Sequence, residues 1–216
     1  MNYTYILCAL LSVEVVQGAI VVEYLFDGSD GSEDAFAPSR VLEGVTSSAM
    51  VRGSGVSARA GSEAFAGGTW TTASELDASD YFSFTLAPDV GTSMTLTQFD
   101  FDERRSGSGP TAWTLKTSVD SFTESVFTFS IPDTADTRSH TVVLSTSFEN
   151  ISGAVEFRLF GHGAESSSGT WRIDNVSITG TVVPEPWEYG MVCAVVCGAV
   201  WWKRRKNMIC SRLNAI

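Results

Sequence analysis

The chain has 216 residues, with 25 acidic against 14 basic side chains and a formal net charge of −11. That balance excludes nucleic acid as an electrostatically held partner, and the length suits one sizeable domain plus short extensions. All four cysteines (Cys8, Cys193, Cys197 and Cys210) lie near the two ends, so the central part has no internal disulfide and must stand on an apolar core.

Residues 1–18 read as a secretory signal peptide, with an apolar stretch from Tyr5 to Val16 and a cut expected before Ala19. Ile20 to Phe26 is an apolar first strand. Asp27 to Asp34 follows as an acidic, glycine-containing loop. Hard oxygen ligands on such a loop suit calcium, and Asp27, Asp30 and Asp34 are the candidates; a solvated Asp-Gly turn is the alternative.

Period-two alternation then dominates. Phe82, Phe84 and Leu86 share one face, as do Trp113 and Leu115, Phe127, Phe129 and Ile131, and Val155, Phe157 and Leu159. Turn-rich joints are expected at 27–34, 53–69, 106–110, 132–137 and 161–169. Two places break the alternation. Leu96 and Phe99 are three apart, and so are Ile173 and Val176. An odd step flips the side-chain face, so each predicts a β-bulge, the second at Asp174-Asn175 with the Asp174 side chain turned away from plain solvent. The pattern predicts an all-β fold over residues 19–180, an antiparallel two-sheet sandwich of jelly-roll kind.

Three features of this domain bear on binding. Arg104 and Arg105 could grip a carboxylate or sugar acid through guanidinium forks, although strand neighbours point to opposite faces, so at most one serves a given site. The alternative has one arginine capping a loop and the other pairing with Asp102 or Glu103. Trp113 and Trp171 sit in alternating patterns and are read as core. Trp70, among Gly67, Gly68 and Thr69, is expected to be the exposed aromatic that could stack on a sugar. Nothing resembles a nucleophile elbow, and His140 and His162 show no metal spacing.

Three of the acidic residues (Glu14, Glu185 and Glu188) and five of the basic ones lie outside 19–183, which leaves 22 acids against 9 bases in the domain. Residues 181–188 read as an extended linker, because Pro184 and Pro186 fix their own φ and push their predecessors toward extended backbone. Tyr189 to Trp202 is a 14-residue uncharged run read as a membrane helix, about 21 Å long. Lys203, Arg204, Arg205 and Lys206 begin a basic tail, 203–216, that stays in the cytoplasm by the positive-inside rule and places the preceding domain outside.

Val183-Pro184-Glu185-Pro186, the apolar run and Lys203 to Lys206, in that order, resemble the PEP-CTERM sorting signal of bacterial exported proteins. The resemblance implies an exosortase-type transpeptidase as partner, with Pro184, Glu185 and Pro186 as its recognition motif. It also implies attachment to the inner membrane before processing, then delivery to the cell surface or extracellular matrix. Trp171 to Gly180 and Phe101 to Phe122 look like recurring stretches of PEP-CTERM ectodomains, which are similar to carbohydrate-binding jelly rolls. In such folds a structural calcium between an early acidic loop and the last strand would bring in Asp174. The function expected is a non-catalytic surface or matrix protein that binds polysaccharide; the alternative is a glycan-active hydrolase carried by the same signal.

Overall fold

The computed structural model describes residues 18–185. Residues 1–17 of the expected signal peptide, Pro186, the apolar run and the basic tail lie outside the described residues. Among the described residues no helix is long and apolar enough to cross a membrane.

Fourteen strands form two antiparallel sheets. Sheet I contains β1 (Ala19–Tyr24), β3 (Arg40–Val41), β6 (Ser57–Ala58), β7 (Phe65–Gly68), β9 (Thr92–Arg105), β12 (Arg138–Val143) and β14 (Thr170–Pro184). Its main order is β12-β9-β14-β1-β3, with β7 on β14 and β6 on β7. Sheet II contains β2 (Ala35–Phe36), β4 (Val45–Ser47), β5 (Met50–Arg52), β8 (Tyr81–Pro88), β10 (Ala112–Thr117), β11 (Phe127–Ser130) and β13 (Val155–His162). Its order is β11-β10-β13-β8-β5-β2, with β4 on β8.

The alternating apolar residues face one another across a single core, as period-two patterning requires. Phe84 of sheet II stacks on Phe157 at 5.3 Å and on Phe99 of sheet I at 6.2 Å. Phe82 stacks on Trp171 at 5.5 Å. Trp113 and Trp171 are fully buried, as the alternation implies.

Both odd steps are bulges in the β9–β14 ladder. The register jumps from Asp174↔Asp102 to Ser177↔Asp100, and Asn175 takes a positive φ of 49° there. It jumps again between Thr179↔Gln98 and Gly180↔Leu96, which leaves Thr97 as the extra residue. Each bulge lets the apolar residues on both sides point inward, so Leu96, Phe99, Ile173 and Val176 are all buried.

Three expectations are corrected. The stretch 53–69 is not merely a turn-rich joint, since it holds β6 and β7, and Phe65 is fully buried. Strand β13 runs on to His162, past the expected turn at 161. The closing strand also continues beyond 180 to Pro184, which pairs with Thr92. The first four residues of the expected linker therefore belong to the sheet, where their extended backbone suits a ladder at its end.

Candidate functional site

Strand alternation fixes which side chains of β9 point inward. Glu103 and Arg105, two apart, share the buried face. Burial alone would push the Glu103 carboxyl up, but donors from His140, Arg138 and Trp171 together hold it below the ordinary carboxylate range. Arg138 donates through Nε at 2.6 Å and Trp171 through Nε1 at 2.9 Å, and His140 Nε2 lies 3.4 Å away. The His140 ring is enclosed by Phe101, Trp113 and Phe129, with centroids 4.6–5.1 Å away. This hub locks the edge strand β12 onto the sandwich; its carboxylate is sealed from solvent.

Arg105 is also buried. Its guanidinium caps the following loop at the carbonyls of Ser106 and Gly107 and pairs with Glu165 at 2.6 Å. Arg104 points the other way, to the exposed outer face of sheet I. The two neighbours thus divide as strand geometry demands. Arg105 takes the loop-capping role, while Arg104 does not pair with Asp102 or Glu103. The structure does not bring the two arginines together as one fork.

On that outer face the β9–β14 register sets Arg104 opposite Arg172, and Asp102 opposite Asp174. The Asn175 amide, lifted by the bulge, donates to Asp102 Oδ2 at 2.8 Å and to Asp174 Oδ2 at 3.4 Å. Asp174 is half-buried, as the bulge predicts. Burial first, then the negative charges of Asp102, Asp27 and Glu63, push its carboxyl above the ordinary value. Of the calcium candidates, Asp27 thus comes into the field of Asp174. Asp30 instead accepts from the Ser32 amide and hydroxyl inside its own turn, and Asp34 acts on Arg52. The loop closes on itself through Ser29, Asp30 and Glu33, so Asp27, Asp30, Asp34 and Asp174 are not gathered into one ligand set. Among the described residues no three His, Cys, Asp or Glu side chains converge to hold a metal ion.

Trp70 is buried rather than exposed, at 1% of its surface. Its indole lies edge-on to Phe82 and Trp171 and donates to the Gly67 carbonyl at 2.9 Å. The flanking glycines, which read as a loop in the sequence, make the slot: a Cβ on Gly67 or Gly161 would stand 2.8–2.9 Å from the indole. Trp70 is therefore not a sugar platform.

The outward aromatics are on sheet II. Tyr81 and Phe160 face each other across β8 and β13, 5.3 Å between centroids. The Arg158 guanidinium sits 4.5 Å from the Tyr81 ring and 3.9 Å from the Phe122 ring, a cation–π stack. Glu156 holds Arg158 with two bonds of 2.7 and 3.1 Å. Ser121 and Phe122 both have positive φ, 61° and 62°, an unfavourable conformation for a phenylalanine, and this turn aims the Phe122 ring at Arg158. Lys116 secures the turn by donating to the Phe122 and Thr123 carbonyls. A shallow, open cleft lies beside the stack, lined by Leu76, Ala78, Lys116, Phe122, Arg158 and Phe160. Sequence reasoning missed this group; the one available signal was that Tyr81 and Arg158 fall on the opposite parity to the buried members of their strands.

Pro184 and Glu185 of the expected sorting motif are described. Pro184 ends β14 on the exposed edge, and the Glu185 amide donates to the Gly91 carbonyl at 2.7 Å.

No known family profile matches the chain, and neither does any curated protein. Solved structures do. The K3 cleaved adhesin domain of Lys-gingipain from Porphyromonas gingivalis W83 is 14% identical, with a TM-score of 0.42 over 74% of this chain and 99% of that one. A mutant of CBM29-2, a family 29 carbohydrate-binding module, complexed with mannohexaose, is 15% identical, with a TM-score of 0.40 over 76% and 93%.

Proposed function

We propose that the chain is an exported, non-catalytic surface or extracellular-matrix protein whose jelly-roll domain binds polysaccharide, and that its PEP-CTERM-type tail is handled by an exosortase at the inner membrane. The observation that carries the binding reading is the Tyr81–Arg158–Phe122 stack beside an open cleft on the outer face of sheet II. Two rings stacked about a guanidinium that Glu156 holds in place set apolar surface and fixed hydrogen-bonding groups side by side at the cleft, as sugar binding requires. A glycan array probed with the full chain, with and without calcium, tests this reading. Binding that Tyr81→Ala abolishes supports it, and no binding to any glycan removes it.

For the tail, alanines at Pro184, Glu185 and Pro186 in a host carrying an exosortase should leave the membrane-linked precursor. Unchanged processing sinks the sorting proposal.

One observation favours the hydrolase alternative: Asp102 and Asp174 face each other with one carboxyl raised, a division seen in acid–base pairs. The proposal expects no new reducing ends when polysaccharides are incubated with the chain. Release that Asp174→Asn abolishes would establish the alternative instead.

A further inference from the structure

The domain between residues 19 and 183 has nine basic side chains. Arg105, Arg138 and Arg158 form ion pairs, and Arg52 and Lys116 are engaged by backbone carbonyls. The remaining four, Arg40, Arg59, Arg104 and Arg172, make no side-chain hydrogen bond or ion pair among the described residues, although 22 carboxylates are available in the same domain. Three of these four stand in one line. The Arg59 amide bonds to the Ala66 carbonyl, Ala66 pairs with Arg172, and Arg172 pairs with Arg104. Cross-strand partners share a face, so Arg59, just past β6, stands in line with Ala66 of β7, Arg172 of β14 and Arg104 of β9 across the outer face of sheet I.

Like charges directly opposite each other in a sheet are destabilising, so the Arg104–Arg172 pair does not serve the fold. The surroundings keep the pair open. Arg172 lies across Gly61, where a Cβ would come within 3.1 Å of its Cδ and Nε. An open notch beside the pair is lined by Arg104, Arg172, Ser106, Thr170, Ala135 and Arg105, whose own charge is taken by Glu165 and Asp133, so Arg104 and Arg172 are its two unpaired cations. On its other side the pair shares a hollow with Glu63, Asp102 and Asp174, and the two aspartates, two residues further along the same strands, accept from the Asn175 side chain.

We infer that this row is an anion-binding site, and that its ligand is the sulfate or carboxylate group of an acidic glycan. Two guanidinium forks side by side suit a planar or tetrahedral oxyanion, and the ligand's charge relieves the repulsion between them. The site is on the opposite outer face from the Tyr81–Arg158–Phe122 platform, so it stands or falls separately from that reading.

The test is binding of the full chain to dextran sulfate, to polygalacturonate and to unmodified dextran. At least one acidic polymer should bind through the row, and which one tells sulfate from carboxylate. Changing both Arg104→Gln and Arg172→Gln should weaken that binding by about a hundredfold, on the order of tenfold for each guanidinium removed from the oxyanion. Inorganic sulfate should compete, and added NaCl should weaken the binding. Arg40→Gln removes an arginine off the row and should leave binding within about twofold. The double variant should melt no lower than the parent, because it relieves a repulsive pair. Failure of both acidic polymers to bind, or equal weakening by Arg40→Gln and the double variant, overturns the inference.

Discussion

The indole Nε1 of Trp171 donates to Oε2 of Glu103 at 2.9 Å, inside a sandwich whose other buried contacts are almost all apolar. The two residues lie on neighbouring strands of sheet I, and the same carboxylate takes the Arg138 guanidinium from the edge strand on its other side. One charge therefore ties β14, β9 and β12 together. Removing a partner from a buried ion pair strands the other, at a cost of about 3–5 kcal/mol. Glu103→Ala should lower the melting temperature by on the order of 10 °C. Arg138→Met should cost a comparable amount, read from urea or thermal melts. Losses below about 1 kcal/mol for both would show that the hub does not hold the edge strand.

The same carboxylate shapes the acid limb of stability. Its folded pKa is held below the ordinary 4.5, so its contribution is complete above that pH and disappears as the pH falls through the lowered folded value. The urea midpoint should therefore fall as pH drops from 5 toward 3. Glu103→Gln should be less stable than the parent at pH 6 and should show a flatter acid limb. Parallel limbs for parent and variant would assign the acid sensitivity to other groups.

Asp174 works in the opposite sense. Burial and the charges of Asp102, Asp27 and Glu63 raise its folded pKa, so its ionised form is destabilising and the penalty grows as pH rises through the range above 3.8. Asp174→Asn keeps an oxygen for the Asn175 backbone N–H, which Asp174 Oδ1 accepts at 2.7 Å, and removes the charge. At pH 7 the variant should melt about 1–3 °C higher than the parent, with the gain vanishing near pH 3. A lower melting temperature at pH 7 would show that the carboxylate is needed for something other than its hydrogen bond.

Trp70 and Tyr81 separate core from surface. Trp70→Ala should cost about 3–5 kcal/mol, as truncation of a buried aromatic does, because the indole fills the slot between Gly67 and Gly161. Tyr81→Ala should cost no more than about 1–2 kcal/mol, while weakening glycan binding at the sheet II cleft. Melts and binding on the two variants separate the effects; a stable Trp70→Ala chain would return that residue to the surface.

Much of this architecture is legible in the residues themselves. Phe82, Phe84 and Leu86, and Val155, Phe157 and Leu159, announce their strands and their inward faces. The odd steps at Leu96–Phe99 and Ile173–Val176 place both bulges. Strands of two to four residues, such as β2, β3 and β6, are too short to show a period, so 53–69 reads as a turn-rich joint and the short strands of 35–52 give no signal. The sites are harder to see. Parity sends Arg104 and Arg105 to opposite faces, but Arg172 becomes the neighbour of Arg104 only once the register across 68 residues of sequence is known. Trp70 misleads because glycines that supply room for an indole look the same in sequence as glycines that make a turn. Phe122 gives no signal at all, since its role depends on a left-handed backbone that its residue type disfavours.

The long closing strand has a consequence for reach. Ala19 pairs with Gly180 and Pro184 pairs with Thr92, so the described chain enters and leaves at the same end of sheet I. Arg172 lies twelve residues back along β14, roughly 40 Å from Pro184 at about 3.3 Å per residue. Anything that tethers the chain beyond Pro184 thus holds the arginine row at the far end of a rigid arm.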